Sequence, residues 1–577
     1  MLWVGKPCVA LADGAPDYLL WKSAVMNTRS EPYDVIVIGA GFAGMYAVYK
    51  FRQLGLRVLA YEKGSDVGGV WYWNRYPGAR CDCESYYYSY SFSKELEAEW
   101  EWSLHYSEQP EILSYLSHVA DRFSLRDNIQ FDTCVESAVF DEATQMWKIF
   151  TSRGDRVGTR FVVSAAGCLS EVQRPDIPGI ATFDGEVHFT ATWPKEGVNF
   201  SGMRVGVIGT GASGVQVIPR IAKEARQLTV FQRTANWVIP VWNAPMKAEF
   251  KEWVKAHYSE IRKTCLRSGG GVPFVITETP FTAVPDELRQ QTLEKAWRVG
   301  GTRFLTQSFS DLVTNPDANA AAAAFVANYI RTVVADPAVA DMLVPTDHPL
   351  GTKRPPMDDD YYATFNRPNV RLVDIRREPI REIVGKNLRT AESSFELDAL
   401  VLATGFDAIT GALRAIDIRG RKGVGLREKW ATGARSYLGL AVAGFPNLFT
   451  ITGPFSPSVF ANMPTAIEQH VDWIAECLNF MRAREYSTVE AVVDAEDRWV
   501  EHAAELVKGT LYPKANSWFL GANIPGKPRE FGVYIGGFSN YRERCNLIAQ
   551  NGYEGFAFEK LHSQARKTGS AHAGEPS

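Results

Sequence analysis

Tyr33-Asp34-Val35-Ile36-Val37-Ile38-Gly39-Ala40-Gly41-Phe42-Ala43-Gly44 is matched further along the chain by Arg204-Val205-Gly206-Val207-Ile208-Gly209-Thr210-Gly211-Ala212-Ser213-Gly214. Each stretch runs a β-branched strand into GxGxxG and opens a helix, the first with apolar residues at Met45, Val48, Phe51 and Leu54. A glycine turn of this kind lets the backbone approach a pyrophosphate and aims the N–H groups of a helix start at the anion. One copy alone is weak, since it is as readily a tight turn. Two copies in the same strand–turn–helix setting imply two dinucleotides in one chain, which narrows the chemistry to electron transfer between two cofactors.

The residues after each turn differ. Leu56-Arg57-Val58-Leu59-Ala60-Tyr61-Glu62 reads as the second strand of the first unit and ends on a carboxylate suited to an adenosine ribose, which fits FAD or NAD. After Leu228-Thr229-Val230-Phe231 the second unit continues Gln232-Arg233-Thr234. A carboxylate there would repel a 2′-phosphate, whereas Arg233 and Thr234 can bind one, so this site is assigned to NADPH.

A chain of 577 residues exceeds one hydrophobic core. Its formal net charge of −4, with no long basic block, gives no strong attraction to nucleic acid or anionic lipid. No apolar run is long enough for a membrane span, the first residues lack a secretory pattern, and a cytoplasmic enzyme is expected. Of eight cysteines only Cys81 and Cys83 are close together, too few to complete a tetrahedral metal site, and reduced thiols are expected. No metal is assigned. Aromatic residues make up 12% of the chain, which fits ring-lined cavities or thick packing between domains.

Further stretches carry a resemblance. Gly68-Gly69-Val70-Trp71, Tyr76-Pro77-Gly78 and Asp82, Phe183-Asp184-Gly185 with Trp193-Pro194, Gly351-Thr352-Lys353-Arg354-Pro355, Asp398 with Ala403-Thr404-Gly405, Ile451-Thr452-Gly453-Pro454 and Gly521 to Pro528 together resemble the single-chain, FAD- and NADPH-dependent Baeyer–Villiger monooxygenases. The fold implied is α/β, with two Rossmann-like dinucleotide-binding domains and a mostly helical insertion in the NADP domain. We divide the chain into an N-terminal extension (1–32), a first FAD-binding part (33–180) and a first NADP-binding part (181–242). A helical insertion (243–345), supported by the alanine run 320–324 and expected to help wall a substrate cavity, follows. A second NADP-binding part (346–395) precedes a second FAD-binding part with a polar tail (396–577).

The resemblance implies that NADPH reduces FAD and that a peroxyflavin attacks a ketone carbonyl to give an ester or lactone. It implies Arg354 as the cation beside the flavin and Asp82 as the acid that orients it. FAD is assigned Gly39, Gly41, Gly44, Glu62, Gly69, Trp71, Asp82 and Thr452; NADP(H) is assigned Gly209, Gly211, Gly214, Gln216, Arg233, Thr234, Lys353 and Trp518. Trp73, Tyr76, Phe455, Phe460 and Trp518 are candidates to line a site for a hydrophobic, cyclic or bulky ketone, with O2 as the other partner. A monomer or weak homo-oligomer is expected.

The sequence departs from the family fingerprint at one place: Phe189 stands where a histidine is expected, with His188 one residue earlier. This leaves an N- or S-oxygenating flavin monooxygenase as the alternative. A disulfide reductase is disfavoured because there is no CxxC. An NADP-binding interaction protein without turnover is the remaining class.

Overall fold

A computed structural model describes residues 32–561. Apart from Pro32, the N-terminal extension lies outside the described residues, as does the tail beyond Leu561.

Two sheets organise the chain. In the first, Tyr33–Ile38 lies between Val58–Tyr61 and Arg156–Ser164, parallel to both. Ile129–Gln130 extends one edge; Met146–Thr151, Val135–Asp141 and Asp417–Arg419 extend the other, while Leu448–Thr450 also pairs with Arg156–Ser164. The central strand is buried on both faces, as its unbroken Val35-Ile36-Val37-Ile38 run requires. Phe42–Gln53 covers one face and packs against the long helix Met463–Arg484.

The second sheet is wholly parallel, in the order Val370–Asp374, Gln227–Gln232, Arg204–Ile208, Ala399–Leu402, Glu186–Phe189. Asp398, at the start of its return strand, takes Arg204 Nε at 2.9 Å and Nη2 at 2.8 Å and so pins two neighbouring strands at their beginnings. Ala399–Leu402 therefore belongs with the second unit, and the division between 395 and 396 falls too early. The short antiparallel sheet of Ile380–Val384, Asn387–Thr390 and Ser394–Glu396 separates this strand from the rest of its unit and hides the continuity in sequence.

The segment 243–345 is mostly helical, but its role differs from that expected. Ala248–Arg267 packs Val254, Tyr258, Ile261 and Cys265 into the core of the first unit. Asp286–Val299, Pro316–Val333 and Pro337–Leu343 pack into the core of the second. None of its described residues lines the main cavity, because the apolar faces of these helices are taken up by the two cores.

The first and third glycines of the two turns meet equivalent backbone. Gly39 (φ 104°) and Gly209 (φ 107°) adopt backbone that favours glycine, and a Cβ would lie 2.6 Å from Ala165 O and 2.4 Å from Ala403 O respectively. Gly44 and Gly214 play the same part in their helices, where a Cβ would meet Gly39 O at 1.8 Å and Gly209 O at 2.1 Å. These contacts are with backbone that cannot move aside, so each helix sits on its own turn only if the third glycine has no side chain. Gly44→Ala is expected to abolish FAD retention, read from the flavin absorbance of purified protein. Gly214→Ala is expected to weaken NADP+ binding in a titration while leaving the flavin in place. FAD loading at the wild-type level in G44A would contradict this packing role.

Candidate functional site

The ends of the parallel strands of both sheets open on one continuous cavity of about 2830 Å³. A pocket for a single small ligand spans roughly 300–1,000 Å³, so this space suits two dinucleotides and a substrate. Gly39, Gly41, Glu62, Gly69, Trp71, Asp82, Thr452, Gly209, Gly211, Gln216, Arg233, Thr234, Lys353, Arg354 and Trp518 all line it. Gly44 and Gly214 do not; their missing side chains let each helix pack on its turn.

Around the first turn, Glu62 is buried and already engaged: Ala40 N–H donates to Oε2 at 2.8 Å and Gly64 N–H to Oε1 at 2.7 Å. Burial pushes its pKa up, and the two amide bonds act against that shift. Each oxygen keeps lone-pair capacity for a ribose hydroxyl. Gly41 and Gly69 abut, a Cβ on Gly69 reaching Gly41 Cα at 2.8 Å, which brings the Gly68-Gly69 turn over the nucleotide site. Trp71 is buried, with Nε1 donating to Tyr88 Oη at 3.2 Å.

Gly39 N–H donates to Tyr61 O, and Gly209 N–H to Phe231 O. This equivalence puts Gln232 at the place of Glu62, so the second site has no carboxylate there. Arg233 is exposed beside the half-buried Lys353, and neither forms an ion pair among the described residues. Lys353 is pushed below its usual range by burial, with Arg233 and Arg376 adding to the shift and Asp347 opposing it. Neighbouring cations without a partner anion fit a phosphate. Gln216 lines the cavity and its amide bonds at both ends: Oε1 accepts from Tyr76 Oη at 2.8 Å and Nε2 donates to Arg80 O at 3.1 Å. It joins the two units and keeps one N–H and one lone pair free on the cavity wall.

Between the turns, Arg354 Nε donates to Asp82 Oδ2 at 2.7 Å, Nη2 to Asp82 Oδ1 at 2.9 Å, and Nη1 to Val459 O at 2.5 Å. Burial would raise the Asp82 pKa, but the charge and hydrogen bonds of Arg354 hold it below the usual carboxylate range. The guanidinium stays charged, since Asp82 more than offsets the effect of burial. Of its five N–H donors, two remain after these bonds. Cys81 and Cys83 flank Asp82 with ligand atoms within 4.8 Å of one another. Both Asp82 oxygens are held by Arg354, and burial pushes the Cys81 thiol up.

Thr452 sits in left-handed backbone (φ 54°), costly for a β-branched residue. Its N–H donates to Nδ1 of the fully buried His470 at 3.0 Å. Sequence reading missed His470, whose place eighteen residues on, inside a helix, carries no motif.

The wall near Arg354 is apolar: Cys168, Leu169, Val459, Met463 and Trp518 pack in one cluster. Of the five aromatic candidates, Trp73, Tyr76 and Trp518 line the cavity. Phe455 and Phe460 do not. Phe455 is buried, and Phe460 turns into an aromatic group with Tyr512, Phe519 and Phe531. On the strand Glu186–Phe189, Val187 and Phe189 face the cavity, and Arg174 lies over the Phe189 ring at 4.9 Å. His188 points to the opposite face, near Trp193 and Phe200, with Nε2 2.8 Å from Glu186 Oε2.

Fold and site together define a two-nucleotide flavoprotein in which an arginine–carboxylate pair stands where the two sites meet. The flavin-binding monooxygenase-like family model matches residues 33–248. A cyclohexanone 1,2-monooxygenase of Acinetobacter sp is 42% identical over 544 residues, 93% of this chain and 99% of the relative. A phenazine N-monooxygenase of Lysobacter antibioticus is 42% identical over 92% of this chain and 97% of its own. An oxidised steroid monooxygenase bound to NADP is 50% identical, with a TM-score of 0.88 over 92% of this chain and all of that one. The chain belongs to the Baeyer–Villiger type of class B flavoprotein monooxygenases, with FAD and NADP(H) as cofactors. No helix among the described residues is long and apolar enough to cross a membrane.

Two outcomes follow from this geometry. His188→Ala is expected to leave the ratio of oxygenated product to NADPH consumed at the wild-type value, because the side chain faces away from the cavity; a rise in hydrogen peroxide would contradict this. The second concerns His470, whose pKa burial pushes down to about 3 from an ordinary 6.5. The unfolded chain takes up this proton first, so the contribution to stability is full above about pH 6.5 and is lost as pH falls toward 3. Melting temperatures are expected to fall more on acidification in wild type than in H470N, whose amide oxygen can still accept from Thr452. Equal slopes would show that His470 is not the titrating group.

Proposed function

We propose that FAD occupies the first glycine turn and NADPH the second, and that Arg354, oriented by Asp82, supports oxygen insertion beside the carbonyl of a hydrophobic, cyclic or bulky ketone. The observation that carries this reading is the bidentate Arg354–Asp82 pair on the cavity wall between the two turns. When bound, FAD reduced by NADPH supplies an oxygen atom taken from O2. The chain's part is to hold charge, exclude water and seat the substrate.

Arg354 presents a fixed cation with two unused donors where the ketone oxygen gains negative charge as its carbonyl is attacked. A preorganised donor of this kind lowers the barrier because it need not reorient during the reaction. Asp82 keeps the guanidinium in place without neutralising those donors. Cys168, Leu169, Val459 and Met463 make the neighbouring wall apolar, which favours a ketone without charged substituents.

The loop that carries Trp518 is tied across this wall. Gln173 Nε2 donates to Asn523 O at 2.9 Å, Asn523 Nδ2 donates to Phe406 O at 2.8 Å, and Lys527 pairs with Asp407. These bonds join the loop to both connections between the units and close the cavity on that side. The exposed Arg233 and the neighbouring Lys353 suit the 2′-phosphate of NADPH. We place the protein in the cytoplasm as a monomer or weak homo-oligomer.

A panel of cyclic, bulky and short linear ketones, followed by mass spectrometry, tests the reading; lactones or esters carrying one added oxygen are expected. Oxidation of a heteroaromatic amine at nitrogen, with every ketone untouched, would favour the N-oxygenating alternative. Arg354→Ala is expected to keep its FAD and to go on oxidising NADPH, while product formation falls by a factor on the order of 10²–10³. Asp82→Asn should show a milder form of the same defect. Wild-type product yield in R354A would refute the assigned role. Arg233→Ala is expected to raise the NADPH requirement at least about tenfold, the scale of one charged hydrogen bond of about 1.5 kcal/mol, with little effect on NADH; an unchanged preference would reject that contact.

A further inference from the structure

Two ion pairs of opposite polarity lie side by side where the units meet. Asp82 of the first unit takes Arg354, and two residues earlier Arg80 Nη2 takes Asp358 Oδ2 at 2.6 Å. The Arg354–Asp82 side chains are 32% and 25% exposed and face the cavity, whereas those of Arg80 and Asp358 are 6% and 7% exposed. Arg80 borders the cavity too, but the inner pair is the more deeply buried of the two. A buried pair is also a poor source of stability, because desolvation offsets the attraction.

We propose that Arg80 and Asp358 are positioning residues that set the register in which Arg354 meets Asp82; this rests on the reading of Arg354 given above. The Arg80 end is tied to both units and the Asp358 end to the second. Around Arg80, Gln109 N–H donates to Ala79 O at 2.7 Å, Cys81 N–H donates to Ser107 O, and Gln216 of the second unit donates to Arg80 O. Asp358 N–H donates to Ile239 O at 3.2 Å, and Ile239 N–H donates to Pro356 O at 3.0 Å, which docks 356–358 on the second unit. Asp358 Oδ1 also accepts from Asp360 N–H at 2.8 Å.

Between the anchor and Arg354 stand Pro355 and Pro356, whose rings fix φ and stiffen the link. Displacement of Asp358 is therefore passed to Arg354 and not absorbed. Slippage is opposed from the other side as well. A one-residue shift of 80–82 would bring the buried Cys81 or Cys83 to the ion-pair positions, and a two-residue shift would set like charges against one another. Arg80 Nη2 also donates to Met357 O at 3.2 Å, so one nitrogen of the guanidinium grips backbone and side chain of the same segment.

The test compares wild type with R80M/D358L, which removes both charges and so leaves no uncompensated buried ion. Holoenzyme with NADP+ is treated with phenylglyoxal, and modification of Arg354 is followed by peptide mass spectrometry; hydrogen peroxide per NADPH consumed is measured in parallel with a ketone that wild type converts. Expected are several-fold higher modification of Arg354 and a several-fold rise in peroxide, with FAD content and the rate of flavin reduction by NADPH unchanged. Either readout at its wild-type value overturns the proposal. Should the double variant lose FAD, R80Q/D358N decides on the same two readouts, since it too removes both charges while keeping polar side chains at both positions: raised modification and peroxide support the proposal, and wild-type values overturn it. R354A serves as the control. If it too shows wild-type peroxide, the reading of Arg354 fails; if it leaks peroxide and the charge-removed variants do not, only the positioning role falls.

Discussion

The contact on which the rest of the site depends joins residues 272 positions apart, Arg354 and Asp82. Two dinucleotide folds are useful together only if their reactive ends meet, and each fold by itself fixes only the pyrophosphate end of its ligand. The ion pair supplies what neither turn can, a charge held where the two sites converge. Around it the units are tied by further polar contacts, Tyr76 to Gln216 and Arg220 to Glu108 at 2.7 Å among them. Near-identical glycine turns are thus brought into one arrangement by a few unlike side chains.

The difference between the two nucleotide sites is itself electrostatic. The backbone of the second turn follows the first closely, down to the carbonyl that the third glycine must approach. Glu62 in one and Gln232 in the other stand at the same place after the second strand, so local geometry cannot tell the ligands apart. Arg233 and Lys353 gather positive charge at the second site, and the carboxylate of Glu62 makes the first unsuited to an added phosphate.

Local features were the legible ones. A strand, a glycine turn and a helix lie within a dozen residues, and the ribose carboxylate ends the next strand, so both units could be read directly. Arg354 and Asp82 came only through the family resemblance, since nothing in their own neighbourhoods announces a partner. The misreadings have a common origin in long-range packing. Ala399–Leu402 joins a sheet begun at Glu186; the helices of 243–345 turn their apolar faces to two cores; Phe455 and Phe460 look like pocket residues by type but are drawn into clusters assembled from distant turns. At the fingerprint, strand alternation alone separates His188 from Phe189, and the Arg174 that covers the Phe189 ring comes from the connection before the strand.

A crystal structure of the holoenzyme with FAD and NADP+ tests the central claim most directly, through the position of the Arg354 guanidinium. The account expects it to remain bidentate on Asp82, with its two unused N–H groups directed at the flavin ring and the nicotinamide end of NADP+ close by. A guanidinium turned away from both cofactors, or a flavin ring seated away from the Asp82 wall, would contradict it.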